Sequence, residues 1–330
     1  MADLKERKTM LSRSEAIEEI NRLAGQKTPF VFFTDFLGDK VWLKPLGNLG
    51  EKELRWDFSG SHTAQRTQNS PFTFSKSPLS FEQFKPAFDQ VVEEINYGNS
   101  FLVNLTFKTP INTSLSLDDI FERSAAKYKL KFGEHFVVFS PETFVKMKDG
   151  HVYSYPMKGT IDASVENAEE QILKDPKETA EHVTIADLIR NDLSQIADEV
   201  RVTKFRFISE VNTHEKKLLQ VSSEIRGKLP EGYQAQLGTL LFKLLPAGSI
   251  TGAPKPKTVE IIQSTENYDR GFYTGICGHY DGKNLDTGVM IRFIEKQGDQ
   301  LYYKSGGGIT SFSNARKEYQ ELIDKVYLPF

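Results

Sequence analysis

The spacing of apolar residues changes several times along the chain, and each change marks the boundary of a predicted element. A helical spacing around 14–24 gives way to the apolar run PFVFFTDF (29–36), which is typical of a buried strand, and DKVWLKPL has the composition of its partner strand. Ser80 and Gln83 then form the signature of a helix N-terminus, with Gly98 as the stop signal. The pattern therefore predicts helices and strands mixed along the chain.

Strand patterns dominate from about residue 101 to residue 160. FLVNLTF and HFVVFS flank a short helical segment, and TFVKMKDGHVYSYP (143–156) predicts a hairpin with Asp149-Gly150 at its turn. A long helix is predicted over 177–194. The polar segment 59–78, rich in Ser, Thr, Gln and Pro, is predicted to be a loop.

Beyond the long helix, LLPAGSITGAPK leads through a glycine-rich turn into another helix, and a strand meander runs from YTGICGHY to SGGGIT (305–310). The last predicted helix covers about 313–326. Hairpin-joined strands with helices between the groups favour an α+β fold with antiparallel sheets. We expect two parts, an N-terminal portion with a polar loop over 1–78 and a larger core over 79–330.

Composition and charge narrow the possible functions. The net charge is −3 with both signs interspersed, which gives no electrostatic reason to expect a nucleic-acid or anionic-membrane partner. The single cysteine, Cys277, excludes an intrachain disulfide and fits a reducing compartment. The first residues lack the apolar run of a signal peptide, and every apolar run is too short to span a bilayer. We therefore expect a cytoplasmic protein.

The predicted hairpin brings a carboxyl group and an amine to the same end of two strands. With a two-residue turn Glu142 lies opposite Met157, whereas a three-residue loop places Glu142 opposite Lys158. In both registers the Glu142 and Lys158 side chains lie within about 10 Å of each other. The two groups could form a site or only a weak surface ion pair, which is the simpler interpretation on spacing alone.

Two further stretches have residue types that bind ions. Glu318 and Glu321 share one face of the last helix, where two carboxylates can hold Mg²⁺, although Glu321 can also pair with Lys325 on the surface. The three glycines of SGGGIT allow backbone N–H groups to converge on an anion, or they form a plain tight turn.

The predicted long helix contains many charged residues in an otherwise apolar pattern. In ETAEHVTIADLIRND (178–192), acidic and basic residues, including Glu181, interrupt the apolar positions, which indicates a polar site or a solvated face. Taken together, these features suit a small polycarboxylate bound through Mg²⁺. They are a lysine, a nearby acid, backbone cradles for an anion, Arg292 on a predicted central strand, and carboxylates for a metal.

The order of the motifs identifies a family. From about Asn96 onward, the chain has eight motifs whose order resembles that of the chorismate-utilising enzymes. They are SPETF, PMKGT, AEHVTIADLIRNDL, PAGSITGAPK, YTGICG, LDTGVMIR, SGGGI and EYQELIDKV. The lysine of PMKGT is similar to that of the aminodeoxychorismate synthase branch. Anthranilate synthases carry alanine at the position of Lys158, and isochorismate synthases carry a lysine at the position of Leu102.

The resemblance implies a fold and a set of site residues. The fold is one of antiparallel β-sheets packed as a sandwich with helices on the outside. Lys158 is implied as the nucleophile and Glu142 as the general acid, with Mg²⁺ held by Glu181, Glu318 and Glu321. The implied substrate-binding residues are Gly159, Thr160, Gln220, Ser249, Tyr273, Arg292, Gly307 and Gly308.

The same resemblance implies a reaction and a partner. Chorismate is aminated at C4 to 4-amino-4-deoxychorismate, on the path to para-aminobenzoate and folate. The ammonia comes from a separate glutamine amidotransferase subunit in a transient or permanent heterodimer. Gln220 stands where some relatives have histidine, and it keeps a hydrogen-bond donor but cannot shuttle a proton. The alternatives are anthranilate synthase component I and a non-catalytic chorismate-binding subunit.

Overall fold

The computed structural model describes residues 10–50, 53–59, 71–174, 176–212 and 217–330, and for residues 158, 160, 177, 211, 212 and 218 it describes the backbone alone. The helices are α1 (Arg13–Gly25), α2 (Phe81–Asn96), α3 (Leu117–Arg123), α4 (Ala168–Lys174), α5 (Pro176–Leu193), α6 (Leu237–Lys243), α7 (Lys255–Thr265) and α8 (Ala315–Asp324). Short 3₁₀ turns occupy Leu46–Asn48, Tyr233–Gln236 and Gly248–Ile250.

The strands form two antiparallel sheets. They are β1 (Met10–Ser12), β2 (Phe30–Thr34), β3 (Lys40–Pro45), β4 (Leu54–Asp57), β5 (Phe74–Lys76), β6 (Leu102–Thr113), β7 (Tyr128–Phe132), β8 (Phe136–Ser140), β9 (Thr143–Lys148), β10 (His151–Ser154), β11 (Met157–Asp162), β12 (Asp198–Asn212), β13 (Lys217–Lys228), β14 (Gly252–Ala253), β15 (Ile276–Tyr280), β16 (Leu285–Val289), β17 (Phe293–Gln297) and β18 (Gln300–Ile309). The first sheet has the order β1-β3-β2-β15-β16-β9-β10-β13-β11, with β12 beside β13, and the second has the order β14-β6-β18-β17-β8-β7-β4, with β5 beside β6.

The central strand β2 shows why the sheets pack on each other. Val31 and Phe33 join the core between the two sheets, where Phe33 meets the edge of the Phe132 ring of β7. Phe30 and Phe32 point to the opposite face and pack in the cluster that contains α1. A strand buried on both faces needs a continuous apolar run, so the prediction over 29–36 is confirmed, and β3 pairs with β2 as expected. The predicted sandwich of antiparallel sheets with outer helices is likewise confirmed.

Helix α2 begins where its capping residues predicted. The Ser80 hydroxyl accepts a hydrogen bond from the Gln83 backbone N–H, and the Gln83 side chain accepts one from the Ser80 N–H. Phe84, Phe88 and Val91 on one face of the helix are buried in the core. This reciprocal cap and the apolar stripe together hold α2 against β6 and α8.

The secondary structure differs from what the sequence predicted in three places. The predicted loop over 59–78 contains β5, which pairs with β6, while residues 60–70 lie outside the described part. The glycines of 305–310 are not a turn, because they extend β18 along β6. The long strands β12 and β13, which make a hairpin beside β10 and β11, were not predicted at all.

Gly252 in β14 gives a testable requirement of the fold. Its φ is +133°, and a methyl group there would lie 1.7 Å from the Leu102 carbonyl oxygen. We expect Gly252→Ala to lower the free energy of unfolding by at least about 2 kcal/mol in urea titrations. Gly298→Ala is the matched control, because Gly298 has a φ of +61° but open space around it. Its expected loss is about 1 kcal/mol, from backbone strain alone; equal losses in the two variants would contradict the role of the close contact.

Candidate functional site

One cavity of about 530 Å³ lies where the two sheets, α5 and α8 meet. Its lining includes most of the residues proposed from the sequence, namely Glu142, Gly159, Glu181, Gln220, Ser249, Tyr273, Arg292, Gly307, Gly308, Glu318 and Glu321. The structure therefore brings together residues that are up to 179 positions apart in the chain, from 142 to 321. The side chains of Lys158 and Thr160 lie outside the described part, but both neighbours of Lys158, Met157 and Gly159, line the cavity.

The hairpin has the two-residue turn at Asp149-Gly150, with Met147 opposite Val152. The prediction that this ladder continues to Lys158 is wrong, because the pairing of β9 with β10 ends at Tyr153. After Pro156 the chain forms β11, which pairs with β13 and places Thr160 opposite Gln220. Glu142 and Lys158 are thus not cross-strand neighbours: Glu142 immediately precedes β9, whereas Lys158 belongs to β11.

Glu142 lies just before β9 and is held by its neighbours. The Ser249 hydroxyl donates a hydrogen bond to Glu142 Oε1 at 2.5 Å, and the Glu142 backbone N–H donates to Ser140 Oγ at 3.1 Å. The phenol of Tyr273 lies near enough to interact with this carboxyl group, and its own burial raises the pKa of Tyr273. Ser249 therefore fixes one carboxyl oxygen of Glu142 at the wall of the cavity.

Arg292 lies not on a central strand, as predicted, but in the connection between β16 and β17, where the chain passes from one sheet to the other. Its φ of +54° places it in the left-handed region, which turns its backbone sharply at this crossover. Its Nε donates to the Tyr327 hydroxyl at 3.3 Å. Burial lowers the pKa of Arg292 and the nearby Tyr303 and Tyr327 raise it, with a net upward shift; the guanidinium is charged and can face an anionic ligand.

Gly307 in β18 lies against the acids of α8 and against Lys325, whose Nζ would be 3.6 Å from a methyl group on this glycine. A methyl group on Gly307 would lie 3.6 Å from Glu318 Oε2 and 3.8 Å from Glu321 Oε1. Gly159 in β11, with φ +83°, is similarly close to Glu178, because a methyl group there would lie 3.3 Å from Glu178 Oε2. A side chain at either position would therefore contact a carboxylate that lines the cavity.

The acidic residues supply the carboxylate oxygens that a hard cation prefers as ligands, although they do not form a compact cluster. Within the part of the chain that the structure describes, no group of three or more His, Cys, Asp and Glu side chains is close enough to hold a metal. Mg²⁺ needs only one or two protein carboxylates, with water and substrate completing its shell. The predicted surface pairing is also present, since Lys325 Nζ lies 2.6 Å from Glu321 Oε1 and donates to the Gly306 carbonyl at 2.8 Å.

Glu178 and Asp192 were not among the site residues proposed from the sequence, yet both line the cavity. Glu178 was detectable, because Glu178-x-x-Glu181 in α5 repeats the spacing of Glu318-x-x-Glu321 in α8. Two acidic helix faces of the same spacing, far apart in the chain, therefore border one cavity.

The arrangement suits a small anionic ligand. Arg292 and the space beside the β18 glycines can receive carboxylates, while Glu142 can exchange a proton with a ligand in the cavity.

A separate feature concerns membranes: no helix in the described ranges has the length and apolarity that spanning a bilayer requires.

Curated relatives cover almost the whole chain. A protein of Haemophilus influenzae named "Uncharacterized PabA-like protein" is 48% identical over 95% of this chain and 96% of its own length. Aminodeoxychorismate synthase component 1 of Salmonella typhimurium is 32% identical over 80% of this chain and 61% of its own length. The chain thus spans about three fifths of that longer relative.

Solved structures share the fold. Anthranilate synthase component I of Streptococcus pneumoniae is 26% identical and aligns with a TM-score of 0.63 over 78% of this chain and 59% of its own. The menaquinone-specific isochorismate synthase of Escherichia coli, 15% identical, aligns with a TM-score of 0.72 over 96% and 82% of the two chains. Residues 17–329 match the family described as chorismate binding enzyme. Given this match and the Haemophilus relative, the chain belongs to the chorismate-binding enzyme family.

Proposed function

We propose that this protein aminates chorismate at C4 to give 4-amino-4-deoxychorismate. The observation that carries the proposal is the single cavity lined by Glu142, Ser249, Arg292 and both neighbours of Lys158. The relatives named aminodeoxychorismate synthase component 1, from Bacillus subtilis and Salmonella typhimurium, support it.

Lys158 is the proposed nucleophile. Its Nζ forms a bond to C2 of the chorismate ring while the two ring double bonds shift and the C4–O bond breaks. Ammonia then forms a bond to C4, the double bonds shift back, and the bond between Nζ and C2 breaks. Covalent catalysis of this kind divides one difficult displacement into two easier steps. The net reaction consumes chorismate and ammonia and releases water.

Glu142 is the proposed general acid in the first step. It gives a proton to the departing 4-hydroxyl group, which leaves as water. The hydrogen bond from Ser249 holds Oε1 at the wall of the cavity, where the ligand is proposed to bind. Arg292, whose guanidinium is charged, is the proposed partner of the enolpyruvyl carboxylate.

Glu181, Glu318 and Glu321 are the proposed holders of Mg²⁺, with Glu178 nearby. The ion would neutralise the ring carboxylate of chorismate when bound. We expect Glu321→Gln to weaken Mg²⁺ binding by at least about tenfold, measured by calorimetry without substrate. Glu122→Gln is the matched control, because Glu122 lies on a different helix and pairs with Arg55 instead. Unchanged Mg²⁺ affinity in Glu321→Gln would remove this residue from the proposed site.

A glutamine amidotransferase is the proposed source of ammonia. The only cysteine, Cys277, is fully buried in β15, and burial raises the pKa of its thiol, so it is unsuited to act as a glutaminase nucleophile. The names of the Bacillus and Salmonella relatives, each a component 1, support a second subunit.

The decisive experiment supplies ammonium directly and identifies the product. Purified protein is incubated with chorismate, ammonium and Mg²⁺, and the products are separated and weighed by mass spectrometry. We expect 4-amino-4-deoxychorismate. Anthranilate with pyruvate would instead support the anthranilate synthase alternative, which relatives of that name keep open. Binding of chorismate without turnover would support a non-catalytic subunit.

A further inference from the structure

A partly buried ion pair lies beside the cavity and has no part in the chemistry proposed above. Lys255 Nζ lies 2.7 Å from Asp192 Oδ2, and the two side chains are only 14% and 12% exposed. Lys255 Nζ also donates to the Leu244 carbonyl oxygen at 2.7 Å. The pair therefore joins the end of α5 to both ends of the segment 244–255.

Both charges lie at helix ends that disfavour them. Asp192 is in the last turn of α5, where the helix dipole is negative, and Lys255 is the first residue of α7, where it is positive. Burial raises the pKa of Asp192 and lowers that of Lys255, with each partner's charge offsetting part of the shift. A buried ion pair is a weak source of stability in any case. Stability alone is thus a poor explanation for this pair.

The contacts of Asp192 lead directly to the proposed general acid. A methyl group on Gly248 would lie 2.8 Å from Asp192 Oδ2, so the carboxylate packs closely against this residue. The next residue is Ser249, which donates to Glu142. Asp192 therefore packs directly against the turn that carries Ser249.

We infer that Asp192 and Lys255 are a positioning pair, which fixes the turn 244–251 against α5 and so holds Ser249 and Glu142 toward the ligand. The turn and the acids Glu178 and Glu181 of α5 all face the same cavity. The pair thus sets the position of the proton donor relative to the proposed cation site. The role that this inference gives to Glu142 rests on the proposed function, whereas the expected effect on chorismate binding does not.

The test uses a double variant that removes both charges together. Lys255→Met alone leaves Asp192 buried and unpaired, whereas Asp192→Asn with Lys255→Met leaves no unpaired charge and should recover most of the lost thermal stability. If the pair positions the turn, the double variant stays at least about tenfold weaker in chorismate binding and tenfold lower in kcat despite that recovery. Recovery of binding and turnover together with stability would overturn the inference. Asp192→Asn, which keeps the side chain's shape, is the second variant if the double variant does not fold; wild-type chorismate affinity in it would equally overturn the inference.

Chorismate affinity is measured by calorimetry with Mg²⁺ present, and turnover with ammonium is measured separately. Lys257→Met is the matched control on α7, since Lys257 is exposed and pairs with Glu260 on its own helix. It should behave as wild type in both measurements. If wild type binds chorismate but does not aminate it, the proposed function fails, and the inference is then decided by the chorismate affinity of the variants.

Discussion

Replacing Lys158 with alanine is expected to abolish amination, with a fall in kcat of at least about a thousandfold. Without the amine there is no bond to C2, so the 4-hydroxyl cannot leave by the two-step route. Wild-type protein given chorismate but no ammonia should accumulate a covalent adduct heavier by chorismate less one water. Intact-protein mass spectrometry should detect that adduct in wild type and not in Lys158→Ala.

Lys174→Ala is the control for that variant. Lys174 is an exposed lysine on α4 that pairs with Glu170 on the same helix. It should keep both the adduct and full turnover. Product formation by Lys158→Ala at more than about a tenth of the wild-type rate would exclude the covalent route, because direct addition of ammonia would then suffice.

Local signals in the sequence were sufficient for several elements of the fold. The capping box at Ser80, the turn at Asp149-Gly150 and the apolar run of β2 each depend on neighbours within a few residues. Such contacts are determined by the chain's own chemistry over short distances, so their prediction from sequence succeeded.

The register beyond Ser154 could not be predicted in this way. Pro156 cannot donate to a ladder, and β11 after it continues along β13, which already pairs with β10, and no longer pairs with β9. That choice depends on β13, which lies about sixty residues farther along the chain. The placement of Lys158 relative to Glu142 was therefore decided by a long-range pairing.

The missed hairpin of β12 and β13 has a related cause. In β12 the apolar positions change phase between Val202 and Phe205, and the structure shows register shifts on both sides of Lys204. Bulges of this kind break the alternation by which a strand is recognised. Much of the strand is also exposed, which removes the contrast between a buried and a solvent face.

The order of the family motifs, rather than the spacing of residues, predicted that the two acidic helices contribute to one site. Glu181 and Glu321 belong to helices separated by the whole β12–β18 region, and no local pattern connects them. The geometry adds Glu178 and Asp192, which the motif order alone did not select. The site is thus a product of the sandwich topology, which places α5 and α8 at the same cavity.

Glu142→Gln is expected to lower kcat by about a hundredfold to ten-thousandfold while chorismate affinity changes by less than about threefold. Glutamine has nearly the same shape and still accepts the hydrogen bond from Ser249, but it cannot give a proton to the 4-hydroxyl. Because that proton is needed as the bond to C2 forms, the variant should accumulate no covalent adduct even without ammonia. Adduct formation and turnover are measured by mass spectrometry, and affinity by calorimetry.

The adduct distinguishes two places at which Glu142 can act. If the variant accumulates the adduct but turns over slowly, Glu142 is needed for the attack of ammonia rather than for the departure of the hydroxyl, and the proposed assignment is wrong. Glu231→Gln is the control, since Glu231 is an exposed carboxylate outside the cavity and its loss should change neither quantity. A large loss of chorismate affinity in Glu142→Gln would instead indicate that the Ser249–Glu142 contact shapes the ligand site, and the low turnover would then follow from weak binding.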